Sequence, residues 1–107
     1  MTLKRNKHFW TIVSPAVWQK LCEIAERESL PVTKVVLRIL FAEFDYTGEE
    51  ILTDYSFSSR TGHKIIARVT ENERKKLEEL AEKHGVTVCQ LTRNVLYTHL
   101  IAKSSKI

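Results

Sequence analysis

One segment of this chain recurs without a gap 56 residues further on, and that repeat constrains the fold more than any other feature. Val13 recurs as Val69, Lys20 as Lys76, Leu21 as Leu77, Glu23 as Glu79, Ala25 as Ala81, Glu26 as Glu82, Val32 as Val88 and Leu40 as Leu96. Other pairs keep their character: Ser14 with Thr70, Ile24 with Leu80, Arg27 with Lys83, Ile39 with Val95, Phe41 with Tyr97. The identities fall mostly on apolar and helix-capping positions, where a shared fold would put them. The chain therefore reads as one domain over 1–107 that holds a unit at 7–45, a connector at 46–62 and a second copy of the unit at 63–102.

The second copy is the cleaner one. His63 to Val69 alternates like a strand, and Thr70 with Glu73 three residues later forms a capping box that opens a helix to His84. Gly85 supplies a left-handed stop, and Thr87 caps a further helix. That helix has Val88, Leu91, Val95, Leu96 and Leu100 on one face, with Gln90, Arg93 and Asn94 expected to point outward. In the first copy His8 to Val13 reads as the strand, and Ser14-Pro15 starts a helix, with the serine capping and the proline at a position that needs no N–H. Ser29-Leu30-Pro31 breaks it. The helix expected next, from Val32 to Asp45, is apolar nearly all the way round and should be buried on more than one side. Gly48, Glu49, Glu50 and the run from Ser56 to Gly62 give the connector the character of a loop, in which Ile51 to Tyr55 is the stretch suited to local order.

A chain of 107 residues that is 43% hydrophobic can build one modest core. Its net charge of +4 favours acidic partners, nucleic acid first. Cys22 and Cys89 have neither metal-ligand nor disulfide-framework spacing and read as half-buried thiols. Arg38 and Glu43 interrupt the most apolar stretch, and the N-terminus has no signal-peptide core. The expectation is a cytoplasmic protein with no membrane association, in a host cell's cytoplasm if virally encoded. Lys4, Arg5 and Lys7 mark a basic N-terminal arm.

One strand and two helices cannot bury their own apolar face, whereas two such units can pair their strands and interlock four helices beneath them. Here the sequence resembles the ribbon-helix-helix family of DNA-binding proteins, of the MetJ, Arc and CopG type. The strongest local match is Lys64-Ile65-Ile66-Ala67-Arg68-Val69-Thr70-Glu71, then Leu77, Leu80-Ala81, Gly85-Val86-Thr87 and Leu91. The family normally reaches its fold by homodimerising. Two copies in one chain are similar to small regulators of conjugative plasmids and archaeal viruses. The resemblance implies an α+β, mostly helical fold, in which the tandem units form an intramolecular pseudo-dimer with a two-stranded antiparallel ribbon over four helices. It also implies a transcriptional regulator that binds double-stranded DNA sequence-specifically through the ribbon in the major groove, with self-association of chains on longer sites open to it.

Strand alternation selects the reading face. Burying Ile65, Ala67 and Val69 turns Lys64, Ile66 and Arg68 outward, and the opposite register would bury two unpaired cations at a cost of several kcal/mol each. The same phase in the first strand buries Phe9, Thr11 and Val13 and turns His8, Trp10 and Ile12 outward. Lys64 and Arg68 suit guanine O6 and N7; the apolar half of the face suits either contact of Trp10, Ile12 and Ile66 with thymine methyls or an asymmetric site read mainly through the second strand. The resemblance also assigns phosphate binding to the start of each second helix. Thr87 and Val88 fit it, with Cys89 beside them, whereas Pro31 replaces the threonine in the first copy and leaves Thr33 and Lys34 to compensate. Lys4, Arg5 and Lys7 add an electrostatic contribution.

Nothing in the sequence calls for an enzyme, a cofactor or a metal. His8, His63, His84 and His99 are scattered, and the acidic residues sit beside lysine or arginine on helix faces. Glycine-rich phosphate loops and nucleophile elbows are missing. The competing expectation is a protein-interaction module that presents the apolar ribbon face around Trp10 and Ile66 to a protein partner.

Overall fold

The computed structural model describes residues 7–48, 50–55, 57–58 and 60–102. Strand β1 (Lys7–Val13) leads into helices α1 (Pro15–Glu28) and α2 (Val32–Arg38), and strand β2 (His63–Val69) into α3 (Glu71–His84) and α4 (Val88–Tyr97). A π-helical turn prolongs each second helix, over Ile39–Glu43 and Thr98–Ala102. The described residues thus form an α+β fold, with four α-helices and one antiparallel sheet of two strands among them. The order strand, helix, helix occurs twice. No described helix is long and apolar enough to cross a membrane.

The strands pair with His8 opposite Arg68, Trp10 opposite Ile66 and Ile12 opposite Lys64. Alternation sends Phe9, Thr11, Val13, Ile65, Ala67 and Val69 into the core. Beneath them lie Val17 and Leu21 of α1, Val35 and Val36 of α2, Leu77 of α3, and Leu91, Val95 and Leu96 of α4. β1 rests mainly on α4, and β2 on α2, so each strand is covered by a helix of the other half of the chain. Thr11 is the polar exception on the buried face, and its hydroxyl donates to the Cys89 carbonyl at 3.0 Å.

The helix ends follow local chemistry. Thr70 and Glu73 make the expected capping box at the start of α3. Thr87 forms a second box with Gln90 at the start of α4. Gly85 ends α3 with φ 67°, and the Val86 N–H donates to Ala81 O at 2.9 Å. The same closure ends α1, where Ser29 takes φ 55° and the Leu30 N–H donates to Ala25 O at 2.9 Å.

Three local expectations need correction. The Ser14 hydroxyl makes no capping bond and lies buried without a partner among the described residues. Pro15 and the extended Ser14 backbone set the start of α1 instead. The second helix of the first half stops before Asp45. The Phe44 N–H reaches back to Ile39 O at 2.9 Å, and the extended Phe44 is buried. Arg93 and Asn94 do not simply face outward. The Arg93 guanidinium lies 3.8 Å from the centre of the Phe57 ring and donates to Ile12 O at 3.4 Å, while Asn94 Oδ1 accepts the Asp54 N–H at 3.3 Å.

Those contacts dock the connector on α4. Thr98 strengthens the docking: its hydroxyl accepts the Leu52 N–H at 2.8 Å and lies 3.3 Å from Leu52 O. The stretch from Ile51 to Tyr55 forms no helix or strand, and it is held by its hydrogen bonds to Asn94 and Thr98 rather than by local pairing. Glu49, Ser56 and Ser59 of the connector lie outside the described residues.

Candidate nucleic-acid interface

The outer face of the two strands is the surface that alternation leaves over once the core is filled. It presents three cross-strand pairs: His8 with Arg68, Trp10 with Ile66, and Ile12 with Lys64. His8, Lys64 and Arg68 are exposed, and Trp10 and Ile66 are 49% and 57% exposed. Large apolar side chains in the middle of an open face are uncommon unless something contacts them. The Lys64 ammonium lies 5.2 Å over the Trp10 ring, which holds that cation against the centre of the face. Ile12 is only half-buried, because the connector ends against it: a Cβ at Gly62 would collide with the Ile12 side chain. The core-facing register thus follows the expected one, and Ile12 is the least available of the six outward positions.

Two clefts flank this face, one at the start of each second helix. The larger, about 300 Å³, is lined by Trp10, Arg74, Thr87, Val88 and Cys89. The other, about 230 Å³, is lined by Thr33, Lys34, Leu37, Ile66 and Arg68. Helix starts direct unpaired N–H groups and the positive end of the helix dipole outward. At α4 the Thr87 side chain is engaged in its own cap: its oxygen accepts the Gln90 N–H at 3.1 Å, and Gln90 Oε1 accepts the Thr87 N–H at 3.0 Å. This fixes the first turn beside the cleft. At α2, Pro31 occupies the capping position without a side-chain bond, and the polar groups of that cleft come from Thr33, Lys34 and Arg68. Lys7 is exposed at the end of β1 opposite Val69, while Lys4 and Arg5 lie outside the described residues.

Arg74 is the cleft residue that reading the sequence missed. Its guanidinium donates to His8 O at 3.2 Å and lies 3.8 Å from Glu78, which holds it between β1 and the start of α4. Helical periodicity assigns Arg74 to a solvated charged face. The usable signal was its place in the repeat, where the first copy has Trp18 instead. Trp18 makes a different contact, stacking on the His63 ring with centroids 5.0 Å apart.

A further group of charged side chains ties the frame together. Arg38 makes two hydrogen bonds to Glu28, at 2.6 and 2.8 Å, and pairs with Glu43, which also meets His99 at 3.1 Å. The hydrogen bonds from Arg38 hold the Glu28 carboxyl below the ordinary glutamate value. Tyr46 donates to Leu40 O at 2.6 Å, and burial pushes its phenol above the ordinary value. Among the described residues, no three His, Cys, Asp or Glu side chains converge as a metal site would require. Comparison of the chain with protein-family models, with curated proteins and with solved structures gives no match.

Proposed function

We propose that this protein is a sequence-specific double-stranded DNA-binding transcriptional regulator, a tandem ribbon-helix-helix chain acting in the cytoplasm as an intramolecular pseudo-dimer. The observation that carries the reading is the outer ribbon face, with His8, Lys64 and Arg68 around Trp10 and Ile66 and a cleft with cationic side chains on either side. A two-stranded ribbon fits the major groove, so its outward residues meet base edges. Helix starts at the two clefts flank the ribbon where the backbone phosphates would pass, and such contacts position a protein without specifying sequence. The pseudo-twofold axis has a simple place. Trp10 and Ile66 are opposite one another and are also equivalent in the repeat, which supports a pseudo-dimer whose axis would run between them.

A second reading is favoured by one observation, the exposure of Trp10 and Ile66 side by side. An apolar pair of this kind also suits a protein partner. Salt separates the two. Each phosphate neutralised releases counterions, so DNA affinity falls steeply as salt rises, whereas a contact centred on Trp10 responds little.

The test is selection from random duplex DNA followed by titration at two salt concentrations with wild type, Arg68→Ala and Trp10→Ala. The expected result is an enriched motif bound with a steep salt dependence. Arg68→Ala should weaken binding about tenfold or more, the scale of one good base contact. If no motif is enriched and the protein instead captures a partner in a salt-insensitive manner that Trp10→Ala abolishes, the second reading takes its place.

A further inference from the structure

The two ends of the ribbon's outer face are chemically unlike. Residues related by the 56-residue displacement would read the two halves of a palindrome identically. Here Arg68 corresponds to Ile12 and Lys64 to His8. The mismatch extends to the flanks, where Arg74 corresponds to Trp18 and Thr87 to Pro31, although Lys34 in the first copy answers Gln90 in the second. Both clefts therefore hold cations, but the base-facing donors do not match. The cross-strand register puts Arg68 and His8 at one end and Lys64 and Ile12 at the other, with Trp10 and Ile66 between them. At the Lys64 end the connector adds to the difference, because Gly62 abuts Ile12 and Phe57 covers Arg93.

We propose that the ribbon reads a short, non-palindromic duplex site, and that the protein therefore binds DNA in one orientation. Arg68 contacts a guanine at one end, Trp10 and Ile66 lie against thymine methyls in the middle, and Lys64 contacts a guanine at the other end. The inference rests on the DNA-binding reading above and specifies its target. Alternate residues of a strand are about 7 Å apart, so Lys64 and Arg68 leave the backbone about 14 Å apart, close to four base-pair steps of about 3.4 Å. The position of the Lys64 ammonium over the Trp10 ring draws its contact toward the centre, shortening the interval to three or four steps. Arginine presents a planar fork that suits bidentate contact with guanine, and lysine a single point donor, so the Arg68 end carries the stronger preference.

Selection on wild type, Arg68→Ala and Lys64→Ala tests this, with titration of the winning duplex against two palindromes, each made by doubling one half of the site. All the substituted residues are exposed, and circular dichroism checks that the variants remain folded. The expected motif is non-palindromic, with thymine or adenine at its centre. Each alanine variant should flatten the preference at its own end only, and each palindrome should bind about fivefold or more weakly than the natural order. A palindromic motif, or a doubled half-site that binds as tightly as the selected one, overturns the inference and leaves DNA binding standing. No enriched motif at all removes the DNA-binding reading and the inference with it.

Discussion

Ser29 is the described non-glycine residue with positive φ, at 55°, and it stands where the second copy has Gly85 at φ 67°. A side chain in the left-handed region is held there at a cost of about 1–2 kcal/mol, part of which glycine returns as unfolded-state entropy. Ser29→Gly should therefore stabilise the protein by about 0.5–1 kcal/mol in urea denaturation, with the slope unchanged. Acid stability depends on another single residue. Because Arg38 holds Glu28 below its ordinary pKa, the pair's contribution is present above the ordinary glutamate value and is lost as pH falls through the lowered one. Glu28→Gln should flatten that part of the fall in Tm below about pH 4.3, the ordinary glutamate value. An unchanged acid limb would mean that Arg38 and Glu28 do not form this pair in solution.

At the scale of elements, the strands, the capping box at Thr70 and the stop at Gly85 were legible because neighbours in sequence determine them. The choice of buried strand face was legible for a related reason, since Lys64 and Arg68 tolerate only one of the two faces. The connector was not. Its order comes from Leu52, Asp54 and Phe57 meeting Thr98, Asn94 and Arg93, contacts some forty residues apart in sequence that leave no periodic trace. The contact of Arg74 with His8 was hidden for the same reason, as the two are 66 residues apart in sequence. Thr98, at the start of the turn that prolongs α4, holds the connector, so Thr98→Val leaves the Leu52 N–H without its acceptor, at a cost of about 1–3 kcal/mol. Hydrogen exchange should show the Leu52 amide losing protection while the paired strands keep theirs. Uniform loss across the protein would show instead that the connector is part of the global folding unit.

At the scale of the whole molecule, each half covers the strand of the other, and the shared product is one solvent-facing ribbon. The fold spends its apolar strand residues on the core and leaves outward a surface with cations at both ends and an apolar middle. That distribution is what the proposed function uses. If this ribbon is the element in contact with DNA, amide and side-chain chemical-shift mapping during titration with a selected duplex will show it. The largest changes are expected at His8, Trp10, Lys64, Ile66 and Arg68, with smaller ones at Arg74, Val88 and Lys34 beside the clefts. Saturable binding with the ribbon unmoved and the changes gathered on the exposed faces of α1 and α3 would contradict contact through the ribbon.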